Sequence, residues 1–106
     1  MGTMKFEVPH SIPKDEAKQR VDQLLKYWHG KYGMKTEWSG DSGKIAGKVM
    51  GITIEAGFTI TDNAIQGEGT DPGMLLRGKA KSYLQEKFSS VLDPKKSLDD
   101  VQRGLA

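Results

Sequence analysis

Hydrophobic and polar positions change their period three times along this chain. Met4-Lys5-Phe6-Glu7-Val8 alternates, so Met4, Phe6 and Val8 face one way, as in a half-buried strand ended by Pro9. After Ser11-Ile12-Pro13 the spacing becomes helical, with Ala17, Val21, Leu24, Leu25 and Trp28 forming one apolar stripe. Pro13 is tolerated in a first turn because it has no backbone donor to satisfy, and Asp15 and Glu16 suit the positive end of the helix. The pattern predicts a helix to about His29 or Lys31, closed by Gly30 and Gly33.

From Met34 the period returns to two. Met34, Thr36 and Trp38 share one side of a short strand, and Ser39-Gly40-Asp41-Ser42-Gly43 reads as a turn. Ile45, Gly47 and Val49 form a second alternating set. Ile52, Ile54, Ala56, Phe58 and Ile60 form the clearest one, with Thr53, Glu55, Thr59 and Thr61 on the opposite face. Asp62-Asn63 supplies a tight reversal, and 64–68 returns antiparallel. A second helix follows from Met74 to about Leu92, with Leu76, Ala80, Tyr83 or Leu84, Phe88 and Val91 as its packing side. Gly78 costs that helix propensity, so a close approach to the sheet or a neighbour is expected there.

The expected fold is therefore α+β: an antiparallel sheet of about five strands with two helices on one face, in the order β-α-β-β-β-β-α. Residues 1–94 are expected to form one compact domain. Residues 95–106 should be a weakly structured tail, with a turn of helix at most through Leu98, Val101 and Leu105.

Composition sharpens this picture. Nine of the 13 glycines lie from Gly40 through Gly78, where the alternation is strongest, so they mark turns, bulges and close contacts within a sheet. Sixteen Lys and Arg against 14 Asp and Glu leave a net charge of +2, but the charges are unevenly placed. Residues 13–32 carry five basic and three acidic residues, 34–71 three and six, and 74–92 four and one. A basic helical layer thus adjoins an acidic sheet region, and Lys14, Lys18, Lys26, Arg77 and Lys81 are the candidate contact face for an anionic partner.

The absence of cysteine removes disulfides, thiolate metal sites and cysteine nucleophiles. No apolar run approaches the roughly 20 residues needed to span a bilayer, and no signal-peptide core is visible, which points to a cytoplasmic location.

Candidate chemistry is sparse. His10 and His29 belong to no metal-binding spacing; a structural hydrogen bond suits the first and helix-end placement the second. Asp41, Glu68 and Asp71 sit in glycine-rich connections and would hold a hard cation only if they converged. No phosphate-binding or dinucleotide-binding glycine motif is present, so no cofactor is expected. Lys26-Tyr27-Trp28-His29-Gly30-Lys31-Tyr32 mixes cations with aromatics, yet a helix scatters these residues around its axis, which disfavours nucleic-acid binding. Met34, Trp38, Ile54, Phe58, Met74 and Phe88 are the candidates for lining an apolar pocket between sheet and helices, or for filling the core instead.

Taken together, Pro9-His10-Ser11-Ile12-Pro13 with Glu16-Ala17 and the helix after it, Trp38-Ser39-Gly40-Asp41, Gly51-Ile52-Thr53-Ile54 and the final helix before Pro94 resemble the polyhydroxyalkanoic acid system protein family. The resemblance covers about residues 4–93, and its most specific part is the PHSIP opening. Members of that family are small bacterial proteins tied to polyhydroxyalkanoate granules or storage systems, with no assigned catalytic mechanism to transfer.

The resemblance implies a non-enzymatic accessory or interaction protein, cytoplasmic or granule-associated, whose partner is a granule or a storage-system protein. An apolar-metabolite binding domain and an uncharacterised enzyme are the alternatives. A homodimer through an open sheet edge is a further expectation.

Overall fold

The computed structural model describes residues 3–49, 51–71 and 73–105, without the side chains of Met74, Gln102 and Leu105. Strands β1 (Thr3–Pro9), β2 (Lys35–Ser39), β3 (Ser42–Val49), β4 (Ile52–Ile60) and β5 (Ala64–Thr70) form one antiparallel sheet in the order β1-β5-β4-β3-β2. Helix α1 (Lys14–Tyr32) follows β1, and α2 (Met74–Val91) and α3 (Leu98–Leu105) follow β5. The α+β class and the β-α-β-β-β-β-α order are those that the hydrophobic periods predict. Short reversals pair β2 to β5 in sequence, while α1 carries the chain across the sheet so that β1 closes against β5.

The sheet glycines have a specific packing role. Register places Phe6, Gly67, Phe58, Gly43 and Trp38 side by side on five successive strands. Each glycine in this row lies under a ring: a Cβ at Gly67 would collide with Phe6, and one at Gly43 with Phe58. Aromatic rings lying over neighbouring glycines let the row pack flat while still shielding the backbone. Phe88 of α2 closes over the row, with its ring centroid 5.7 Å from Phe6, 5.4 Å from Phe58 and 5.7 Å from Trp28. Gly47 likewise accommodates Met34, whose Cγ stands 2.7 Å from where a Cβ would be.

Helix α1 ends as its sequence suggests. Gly33 adopts φ 67°, and its N–H and that of Met34 reach back to the His29 and Trp28 carbonyls, a closure that favours glycine. The predicted stripe of Ala17, Val21, Leu24, Leu25 and Trp28 is buried, together with Arg20. Helix α2 departs from expectation in its first turns. Ala80, Leu84, Phe88 and Val91 are buried, but Leu76 is exposed, and a Cβ at Gly78 would meet nothing within 4 Å. Gly78 therefore serves no close approach, because α2 starts before it reaches the body of the protein.

Beyond Pro94, α3 opens with a reciprocal cap: the Asp100 N–H donates to Ser97 Oγ at 3.1 Å, and the Ser97 N–H donates to Asp100 Oδ2 at 3.1 Å. Val101 is buried, and α3 lies against α1. Both large helices cover the same face of the sheet. Lys5, Glu7, Lys35, Glu37, Lys44, Lys48, Glu55 and Glu68 occupy the other, open face.

Candidate functional site

The five cations singled out from the sequence fall into two groups. Lys14, Lys18 and Lys26 lie on α1, which packs toward β2, β3 and β4; Arg77 and Lys81 lie on α2, which packs mainly on β1. Three of them carry a carboxylate partner. Lys14 Nζ is 2.7 Å from Asp41, Lys26 Nζ is 3.1 Å from Asp22, and Arg77 Nη2 is 2.5 Å from Asp71. The Lys14 ammonium, by its hydrogen bond, holds the Asp41 carboxyl below its ordinary value. Arg77 and then the Gly73 N–H do the same for Asp71. Lys18 lies over the Trp38 ring at 5.4 Å from its centroid, and Trp38 Nε1 donates to Asp22 at 2.9 Å. Lys81 is exposed and borders a groove with Lys5, Gln66, Glu68 and Gln85.

The candidate pocket residues meet in the interior. Met34, Ile54, Phe58 and Phe88 are buried within one hydrophobic cluster, against which Trp38 packs half-buried. The Trp38 and Phe58 rings meet edge to face at 5.5 Å. These side chains pack on one another, in the arrangement that a small domain needs for its core. The side chain of Met74 lies outside the described residues. A groove of about 980 Å³ runs instead along the open face of the sheet, where Lys35, Glu37, Lys44, Glu55 and Glu68 surround the small residues Ala46 and Gly57.

A cation–aromatic cluster joins residues that the sequence pattern leaves apart. Lys31 Nζ donates to Tyr27 Oη at 3.0 Å and lies 5.4 Å from the Tyr27 centroid and 5.6 Å from that of Tyr32. Lys87, on α2, lies 5.9 Å from the Tyr27 centroid and 5.8 Å from that of Tyr83. Tyr83 in turn accepts from Trp28 Nε1 at 2.9 Å. The hydrogen bond from Lys31 lowers the Tyr27 phenol below its ordinary value, whereas burial raises Tyr83. The spacing of Tyr27 and Lys31 signals their contact. Nothing local signals Lys87, which comes from another helix.

Each histidine ring hydrogen-bonds a backbone carbonyl. His10 Nε2 donates to the Thr61 carbonyl at 2.8 Å, and its backbone N–H donates to the Asn63 carbonyl, tying the end of β1 to the β4–β5 reversal. His29 Nδ1 donates to the Met34 carbonyl at 3.0 Å beside the α1 terminus. Among the described residues, no three His, Asp or Glu side chains are grouped to hold a metal ion, and no helix is long and apolar enough to cross a membrane. Asp41 and Asp71 are each engaged by a cation of a helix.

A family model described as "Putative polyhydroxyalkanoic acid system protein" matches residues 4–95. No curated protein and no solved structure matches the chain.

Proposed function

The chain belongs to the polyhydroxyalkanoic acid system protein family, and from that premise we propose that it is a non-enzymatic accessory protein of polyhydroxyalkanoate storage that works by contact. The family match over residues 4–95 carries this reading. The helical exterior supplies the contact chemistry. Lys18 and Lys81 present ammonium groups with no carboxylate partner among the described residues; Lys14 and Lys26 share α1 with the first and Arg77 shares α2 with the second, each in an exchangeable surface pair. The partner is a granule or a storage-system protein, and the protein acts in the cytoplasm at the granule surface.

Affinity capture from native extract, with granules retained, tests the proposal. Recovery of granules or storage-system proteins is expected, with weaker recovery when Lys18 and Lys81 are both changed to Glu. A folded protein that captures neither granules nor storage proteins would overturn it.

A further inference from the structure

Helix α2 begins outside the body of the protein. Leu75, Leu76, Arg77, Gly78 and Lys79 are all exposed, and Ala80 is the first buried residue described in the helix. At 1.5 Å per residue, its first turn and a half therefore projects free of the core. Leu75 is 91% exposed and Leu76 36%, and they are the large hydrophobics left exposed among the described residues. Isolated exposed leucines are ordinary, but two adjacent ones at the tip of a projecting helix are not accounted for by packing.

Local helix energetics do not explain this turn either. The N-cap residue Gly73 makes no side-chain cap hydrogen bond, and the first turn has no acidic residue. Arg77 lies instead at the positive end of the helix dipole. Gly78 weakens the helix, and no neighbour requires its missing Cβ. Asp71 steadies the segment, accepting from the Gly73 N–H at 2.9 Å and pairing with Arg77, so the turn is aimed although it is unpacked.

The order of side chains along the axis identifies what it meets. Leu75 and Lys79 are four residues apart and share one side of the helix, with the leucine about 6 Å nearer the tip. Apolar side chains at the tip, with Lys79 one turn behind and Lys81 further back, both without a carboxylate partner among the described residues, match a layer with an apolar interior and an anionic surface.

We propose that the projecting first turn of α2 docks on an anionic amphiphile layer, with Leu75 and Leu76 entering the apolar zone and Lys79 and Lys81 meeting the headgroups. Two leucines and two lysines make this a weak, reversible contact. The inference goes beyond the storage reading and does not rest on it, since it is tested without granules or storage proteins.

Flotation of the full chain with vesicles of phosphatidylcholine, alone or mixed with phosphatidylglycerol, provides the test. Binding to the mixed vesicles only, weakening with salt, is expected. Leu75→Ser/Leu76→Ser should weaken it at least about tenfold, and Lys79→Gln/Lys81→Gln about tenfold. Both variants should keep the native circular dichroism and melting temperature, because these side chains support no core. Leu75→Trp gives a second readout, a blue shift of the added emission on the mixed vesicles. No binding by the native chain, equal binding by the leucine variant, or no emission shift would each overturn the proposal. So would a dimer in light scattering that the leucine variant abolishes while vesicles stay unbound.

Discussion

The Phe6 ring lies over Gly67, in the space where any other residue would carry its Cβ. Gly67→Ala should therefore displace a core ring that also stacks on Phe88, at a cost of about 1–3 kcal/mol. Gly57→Ala is the control. Gly57 is on the open face of the same sheet, where a Cβ meets its nearest neighbour at an ordinary 3.7 Å, so its effect should stay within about 0.5 kcal/mol. Urea unfolding of the two variants checks the contrast, and equal losses would remove the special role of Gly67.

Arg20, 2% exposed, holds the end of α2 and the segment before α3 to α1. Its Nη1 donates to the carbonyls of Val91 at 3.1 Å and Asp93 at 2.9 Å, and its Nη2 to that of Lys96 at 2.5 Å, beside Glu16 at 3.1 Å. Arg20→Met keeps the apolar stem but removes the donors from three carbonyls, and should cost about 3 kcal/mol in urea unfolding. Amide exchange over residues 93–105 should rise with it. A loss confined to global stability, with exchange in α3 unchanged, would contradict this role.

Tyr27 should ionise before the ordinary 10.0, because Lys31 donates to its oxygen, and Tyr83 after it, because it is partly buried. Phenolate absorbance followed against pH in a Tyr32→Phe background resolves the two, with Tyr27→Phe removing the early component. Lys31→Gln should move that component up toward 10.0. An unmoved early component would show that Lys31 does not perturb Tyr27.

The Lys14–Asp41 pair ties the start of α1 to the β2–β3 reversal and gives a pH dependence of defined sign. Asp41 is depressed from 3.8, so its contribution to stability is present above that value and is lost as pH falls through the folded value. Lys14 is raised from 10.5, so its contribution is present below 10.5 and is lost as pH rises through the folded value. Asp41→Asn should flatten both limbs slightly, as expected for a solvent-exposed pair. In carboxyl NMR titrations, Lys14→Met should bring Asp41 back toward 3.8. A titration of Asp41 unchanged by that substitution would rule out the pairing.

The elements of this protein are legible in its sequence because hydrophobic period is a local property. Met4, Phe6 and Val8 alternate and form β1, the stripe from Ala17 to Trp28 forms α1, and Ile52 to Ile60 form β4. The short reversals between them already imply an antiparallel sheet. For the candidate site, the sequence identifies the cations and the aromatic residues but not their neighbours. Lys14 faces Asp41, and Lys87 reaches the tyrosine it shares with Lys31, only after the chain returns from far away. Leu76 follows the helical pattern yet stands exposed, because periodicity says which residues share a side and not where the helix meets the sheet.

What the sequence determined alone was the five strands and two large helices, their order and the family resemblance; the capped helix α3 lies where it pointed to a tail. Tertiary structure decided which ring lies over which glycine, how Arg20 joins three distant carbonyls, and that α2 projects beyond the core. The reason is physical: backbone and side-chain period act over a few residues, whereas register, charge pairing and burial depend on segments that only folding brings together.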